Sequence, residues 1–225
     1  MTILPSMISL AFAMFLFVGT HFLMSHLLRA AMVARLGEPG FLAVYSLVSL
    51  GLLIWAVMLW HSAPVVPLWF QYFEVVIAGH VVMLIACILL AGSLLTRNPA
   101  LVGAGGLLKS IDGPRGIMRV TRHPMMWAFA LWAAAHIAIT GQLSTLIFAG
   151  GISVLALVGA KAQDVKKRSL MGDDWTAWER ETSFAPSPAW PGVLPILAGL
   201  ALYAFLVWLH PAAFGSSTLL WEFIL

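Results

Sequence analysis

The sequence predicts an all-α fold, a polytopic transmembrane helix bundle of about six spans. Of its 225 residues 61% are hydrophobic and 9% are charged, whereas a soluble domain carries about 25% charged residues. The apolar residues form long continuous runs, as helices in lipid require, and do not alternate as in a membrane β-barrel. This composition excludes an ordinary soluble enzyme, a disordered chain and a disulfide scaffold. No room remains for a soluble domain, so residues 1–225 are expected to form one integral membrane domain.

Six apolar stretches predict the spans. They are Ile3–Leu28, Phe41–Trp60, Val75–Leu95, Met125–Ile139, Leu143–Ala160 and Val193–Leu209. The fourth and fifth are joined by Thr140, Gly141 and Gln142, which predicts a tight helical hairpin. The last follows Pro191 and Gly192, a pair typical of a helix start.

The basic residues indicate the orientation of these spans, because all twelve fall in the first, third and fifth loops. They are Arg29, Arg35, Arg97, Lys109, Arg115, Arg119, Arg122, Lys161, Lys166, Lys167, Arg168 and Arg180. By the positive-inside rule these loops are cytoplasmic, so both termini are predicted to be periplasmic and no nucleic-acid partner is expected. Aromatic side chains are expected to form a belt at the outer interface, namely Trp60, Trp69, Phe70, Tyr72, Trp208 and Trp221.

The longest polar stretch, residues 161–190, is predicted to be a cytoplasmic amphipathic loop that contains one short helix. Gly172 and two aspartates precede Trp175 and Trp178, which share one helical face. We interpret this helix as lying on the anionic inner leaflet, with both tryptophans in the membrane interface. The alternative interpretation is a lid over a pocket on the cytoplasmic side.

Three histidines, His21, His80 and His136, are predicted to lie inside spans. No carboxylate lies deep in a span, and an ionisable residue there marks a functional site by default. With a rise of 1.5 Å per residue, His80 and His136 lie about 7 and 5 Å to the outer side of their span centres, and His21 lies about 8 Å to the inner side. Each one alone is explained by a hydrogen bond between helices. Together they favour a metal-ligand role, such as haem iron held between two helices.

A second candidate site, a cofactor-binding one, is formed by Arg119, Arg122 and His123 where the fourth span begins. The two arginines share a helical face, and the helix-start amides add further donors for an anion. Haem propionates, a phosphate headgroup or a cofactor carboxylate would fit such a cradle. The alternative is a positive-inside anchor with snorkelling arginines, and the residues alone leave both open.

Arg119–Trp127 and Leu131–His136 resemble the NnrU family of bacterial membrane proteins, which also includes the 15-cis-zeta-carotene isomerases. Thr20 with His21, and Ala78–His80, also fit its pattern, so the resemblance covers nearly the whole chain. It implies a multi-pass protein of the bacterial inner membrane. The NnrU branch implies a link to denitrification and nitric oxide metabolism.

The isomerase branch implies haem b bound through histidines and isomerisation of a cis double bond in a polyene. On this chain the liganding histidines fall on His21 and His136, with His80 and His123 as further matches. The isomerases carry a cysteine shortly before the second histidine, where this chain has Ala133, which cannot ligate iron. This departure argues against redox-switched ligation and against carotenoid isomerisation in this protein. Haem b remains the expected cofactor, and membrane lipid and a hydrophobic polyene are the expected partners.

Arg122, His123 and Pro124 also resemble the start of a span in membrane methyltransferases that act on isoprenylcysteine and phosphatidylethanolamine. This would imply S-adenosylmethionine bound near Arg122 and His123. Met126 stands where those enzymes have a tyrosine, and their cofactor-binding glutamate is either absent here or replaced by Asp164. A third hypothesis is a non-catalytic membrane partner of nitrogen-oxide enzymes.

Overall fold

The computed structural model describes residues 3–100, 108, 110 and 112–215, and within these ranges it contains helices, one isolated β-bridge and no strand. The predicted all-α fold is confirmed. The helices are α1 (Ile3–Phe22), α2 (Arg29–His61), α3 (Phe73–Leu95), α4 (Pro124–Thr140), α5 (Leu143–Met171), α6 (Asp173–Glu181) and α7 (Val193–Phe214). A π segment (Leu23–Leu27) follows α1, and a 3₁₀ turn (Gly116–Arg119) precedes α4. Lys109 and Trp221, which the sequence assigns to a cytoplasmic loop and to the outer belt, lie outside the described residues.

Five helical stretches are long and apolar enough to cross a membrane: α1 with its π segment, α2, α3, α5 and α7. The apolar helix α4 has 17 residues. At 1.5 Å per residue it is about 26 Å long, close to the thickness of a bilayer's hydrocarbon core. Each predicted span therefore has a helix, and the chain is a multi-pass membrane protein.

Contacts divide the described chain into two compact units. The first takes its residues from 1–71 and 136–155, and the second from 72–135 and 156–225. The division falls inside α4 and α5, so each of these helices contributes residues to both units.

In the first unit the second span begins with a sharp break. The helix that starts at Arg29 is interrupted at Gly37, where φ is +70°, a value that glycine adopts without strain. Across this break Arg29 pairs with Glu38 at 2.6 Å, and its guanidinium lies 5.3 Å from the centre of the Phe41 ring. The prediction that Arg29 and Arg35 lie in a loop is therefore wrong. The residues before Gly37 are good helix formers, so the helix continues to that break.

The hairpin between α4 and α5 is confirmed. Gly141 has φ of +59°, and a Cβ added there would meet the Trp69 carbonyl oxygen at 2.5 Å. The outer loop packs against this turn, since Leu68 N–H donates to Gly141 O at 2.7 Å and Trp69 Nε1 donates to Ala138 O at 3.0 Å. Glycine is therefore required both by the backbone angle and by the close approach of Trp69.

In the second unit α3 and α7 pack closely together. A Cβ added to Gly199 on α7 would meet the Ile88 Cα of α3 at 2.5 Å, so only glycine allows this approach. A separate buried cluster joins the end of α3, the residues before α4, and α6. Its buried members are Leu89, Ala100, Ile117, Met118, Val120, Ala128, Trp175 and Trp178.

The loop predicted for residues 161–190 needs two corrections. Residues 161–171 continue α5 to Met171, because no helix-breaking residue stands between Ala160 and Gly172. The short helix α6 is present, but Trp175 and Trp178 are 0% and 4% exposed. Their shared face packs into the protein and not into the inner leaflet, because apolar side chains such as Leu89 and Met118 cover it.

Candidate functional site

A buried polar cluster surrounds Asp164 on α5 in the described part of the second unit. Arg122, just before α4, donates from Nη2 to Asp164 Oδ2 at 2.7 Å and from Nε at 3.1 Å. Its third nitrogen, Nη1, donates to the Thr182 carbonyl oxygen at 3.2 Å. The side chains of Arg122 and Asp164 are 10% and 5% exposed, so this is a buried, hydrogen-bonded ion pair.

Glu179 on α6 extends the cluster toward its exposed edge. Its carboxylate lies 3.5 Å from Arg122 Nη2 and accepts from Arg168 Nε at 2.6 Å. The side chain of Glu179 is 13% exposed and that of Arg168 is 52% exposed. Two arginines and two carboxylates therefore balance each other, and the network joins α5, α6 and the residues before α4.

His123 completes this network with a completely buried side chain. Its Nε2 lies 2.7 Å from Asp164 Oδ1. Since an ionised carboxylate only accepts hydrogen bonds, Nε2 carries the proton and a neutral His123 keeps its lone pair on Nδ1. Within the described part of the chain that Nδ1 has no hydrogen-bond partner.

The residues after α6 dock against the start of α4. Thr121 Oγ1 and Trp127 Nε1 both donate to the Phe184 carbonyl oxygen at 2.7 Å, and Arg122 N–H donates to Ser183 O at 2.9 Å. The Phe184 ring has the Arg122 guanidinium and the Lys161 ammonium each 5.4 Å from its centre. The start of α4 is thus fixed by backbone acceptors and by one aromatic ring that has two cations near it.

The structure brings together two of the three residues predicted as an anion cradle. Arg122 and His123 both bind Asp164, whereas the Arg119 side chain is exposed and its carbonyl accepts from Ser187 Oγ at 3.1 Å. The cradle stays a prediction, but an incoming anion would have to compete with Asp164 for Arg122. The sequence did not predict Asp164 as the partner of Arg122. The available signal was that Asp164 is the lone carboxylate on a helix rich in basic residues.

His21 lies at the end of α1, half-buried in the first unit. Its Nδ1 is 2.7 Å from the Phe17 carbonyl oxygen, which can only accept a hydrogen bond. The proton therefore sits on Nδ1 and the lone pair on Nε2. The rings of Phe17 and Tyr45 approach the imidazole edge-on, with centres 4.5 and 5.3 Å away.

His80 and His136 have other surroundings. His80 on α3 is 2.7 Å from the hydroxyl of Tyr203 on α7, a group that can either donate or accept. His136 on α4 is half-buried, and its carbonyl accepts from Thr140 Oγ1 at 2.8 Å. His21 and His136 belong to the first unit and His80 to the second.

Among the residues that the structure describes, no group of three or more His, Cys, Asp or Glu side chains could hold a metal ion. A haem iron takes only one or two protein ligands, so this finding concerns ions held by the protein alone. The predicted ligand set of His21, His80 and His136 therefore stays a prediction.

The chain matches the family model described as NnrU protein over residues 9–218. No curated protein and no solved structure matches the chain.

Proposed function

Because the chain belongs to the NnrU family, we propose that it is a haem b protein of the bacterial inner membrane. Two of His21, His80 and His136 hold the iron, and His21 is the ligand with the strongest structural support. The activity that we assign is either a role in nitrogen-oxide metabolism, as in denitrification, or cis–trans isomerisation of a polyene.

The hydrogen bond from His21 Nδ1–H to Phe17 O carries this proposal. Ligating histidines usually donate their second ring N–H to a carbonyl or carboxylate, which fixes the ring and makes the other nitrogen a better ligand. Nε2 of His21 is left with its lone pair in an apolar part of the chain, and through this atom His21 would hold the haem iron. Bound haem would supply one-electron chemistry, or an open iron site if one ligand leaves.

At the start of α4, the ion pair of Arg122 with Asp164 opposes binding of any anionic cofactor group at Arg122, whether a haem propionate or the carboxylate of S-adenosylmethionine. Arg122 already donates three hydrogen bonds to Asp164 and one to a backbone carbonyl. A cofactor carboxylate at Arg122 would have to break this buried pair, which costs several kcal/mol. Arg119 is exposed, and it remains a candidate to meet a haem propionate.

An absorption spectrum of the full chain, purified after haem-supplemented expression, tests the proposal. We expect a Soret band that is lost or strongly reduced in His21→Ala. His61→Ala is the matched control, since His61 is exposed at the end of α2, and its band should be unchanged. A wild-type protein without a Soret band would overturn the proposal. A band that survives His21→Ala and is lost in His80→Ala and His136→Ala would move the ligands to those two.

A further inference from the structure

Two contacts join the residues before the Gly37 break to those after it, one near the break and one at His21. Near the break, Arg29 pairs with Glu38 at 2.6 Å. Farther from it, the centres of the His21 imidazole and the Tyr45 ring are 5.3 Å apart. His21 precedes Arg29 by about 12 Å of helix, at 1.5 Å per residue. The two contacts are therefore separate places where the chain before the break meets the chain after it.

Three contacts set the orientation of the His21 ring. Its Nδ1 donates to the Phe17 carbonyl oxygen at 2.7 Å, which fixes the nitrogen that carries the proton. The rings of Phe17 and Tyr45 approach the imidazole edge-on, with planes inclined by 65° and 74°. Phe17 lies on α1 like His21 and moves with it. Tyr45 lies on α2, so its ring fixes the imidazole relative to a second helix.

Phe41 connects Tyr45 with the break. Its ring centre lies 5.8 Å from that of Tyr45, one helical turn further along α2. Phe41 is 3% exposed, so it has little room to move. The Arg29 guanidinium lies 5.3 Å from the centre of the same ring, within the range of a cation–π interaction. A displacement of Arg29 would therefore be passed to Phe41 and from there to Tyr45.

The ion pair of Arg29 with Glu38 is better suited to positioning than to stability. Its side chains are 28% and 43% exposed, and an ion pair with this exposure contributes little to folding. Its short distance nevertheless holds the guanidinium beside Phe41. Glu38 directly follows Gly37, so the pair spans the break and depends on its geometry.

We infer that the Arg29–Glu38 pair positions the His21 ring. It acts through Phe41 and Tyr45, since coupling between two sites can travel through packed side chains. The inference rests on the proposed function for its consequence, because the orientation of the His21 ring sets the direction in which Nε2 presents its lone pair to the iron. The contacts themselves are made by this chain alone and can be tested without haem.

The test compares Glu38→Gln with Arg35→Gln in the full chain as purified in detergent. Arg35 is the matched control, because it is an exposed cation of the same helical segment. We expect Glu38→Gln to reorient the His21 ring and Arg35→Gln to leave it as in wild type. The thermal midpoints of both variants should stay near that of wild type, because exposed charges contribute little to folding.

Two spectra report the His21 ring, so the test does not depend on haem. If His21→Ala abolishes a Soret band, the g values of the ferric haem, which depend on the orientation of the ligand ring, should shift in Glu38→Gln while the band persists. In every other case the readout is NMR of protein labelled on the histidine ring nitrogens. Glu38→Gln should then shift and broaden the signal that His21→Ala lacks, and should leave the signals of His80 and His210, which belong to the second unit, unchanged. A wild-type chain without a Soret band contradicts the haem proposal and not this inference.

Variants of Tyr45 test the route. Tyr45→Leu removes the ring that contacts His21 and should act like Glu38→Gln, whereas Tyr45→Phe keeps the ring and should behave as wild type. The double variant of Glu38→Gln with Tyr45→Leu should show no larger effect than Tyr45→Leu alone. Additive effects, or an unchanged His21 in Glu38→Gln, would overturn the inference. So would a lower thermal midpoint of Glu38→Gln with changed His80 and His210 signals, because the pair would then support the whole fold.

Discussion

At the residue scale, the tautomer of three histidines follows from their hydrogen-bond partners. Each partner has no proton left to donate to the ring, so the ring nitrogen that faces it must be the donor. His21 donates to a backbone carbonyl, His26 to a serine whose proton is already used, and His123 to a carboxylate. The lone pair is thus on Nε2 of His21 and His26 and on Nδ1 of His123. Of these three, the sequence singled out His21 as a ligand and His123 as part of an anion cradle, and it gave His26 no role.

Loss of Asp164 should lower the stability of the protein. Asp164→Asn removes the charge that compensates the buried Arg122, and breaking such a pair costs about 3 kcal/mol or more. For a chain of this size that lowers the thermal midpoint by about 6–12 °C. The measurement is differential scanning fluorimetry in detergent.

Asp112→Asn is the matched control for this prediction. The side chain of Asp112 is 98% exposed, and its ion pair with Arg115 is long at 3.7 Å, so its loss should leave the thermal midpoint unchanged. Equal midpoints for Asp164→Asn and wild type would show that the buried network contributes little to stability.

At the element scale, small residues and buried faces determine how the helices pack. Gly199 allows α7 to approach α3 at Ile88, and Trp175 and Trp178 direct α6 into the interior of the second unit. The two helices differ in what the sequence reveals. The spacing of the tryptophans predicts an apolar face on α6, but it cannot say whether lipid or protein covers that face.

Gly199→Ala should separate α3 from α7. Its new Cβ would lie 2.5 Å from a backbone atom of Ile88, which cannot move aside as a flexible side chain could. Overpacking of this kind costs about 1–3 kcal/mol, which thermal unfolding of the purified protein would detect. Gly159→Ala on α5 meets no atom within 4 Å and should unfold like wild type. If both variants unfold alike, the close approach of α3 and α7 is not tight in solution.

At the scale of the whole molecule, the alternating charge of the loops predicts orientation. The exposed residues Ser62 and Gln71 fall on the predicted periplasmic side. Arg97 and Arg180, the latter on α6, are also exposed and fall on the predicted cytoplasmic side. Cys87 is the only cysteine and is buried, so Cys87→Ser gives a background for labelling.

In that background a membrane-impermeant maleimide should label Ser62→Cys in intact spheroplasts and should label Arg180→Cys only after the membrane is opened. The physical reason is that lysines and arginines near span ends are retained in the cytoplasm. Labelling of Arg180→Cys from outside would reverse the orientation and contradict the predicted periplasmic termini.

The sequence by itself determined that this protein lies in a membrane, where its spans are, and that a hairpin forms at Gly141. The spans follow from local composition, because a helix that crosses lipid needs about 20 apolar residues. The hairpin follows from its glycine, because a tight turn needs a residue that adopts positive φ without strain. It also identified the family, because Arg119–Trp127 and the positions of the histidines can be read directly from the sequence. The start of α2 and the end of α5 were not predicted, because polar helical turns extend beyond the apolar stretches there.

Only the tertiary structure decided which partner each polar or aromatic side chain takes. Asp164 and Arg122 are 42 residues apart in sequence, and Tyr203 lies 123 residues from His80, so no local pattern could pair them. The face of α6 is apolar in either environment, and whether it meets lipid or Met118 and Leu89 depends on where those residues fold. A hydrogen bond or a packed ring depends on distance in space, and the sequence supplies that distance only within a few residues.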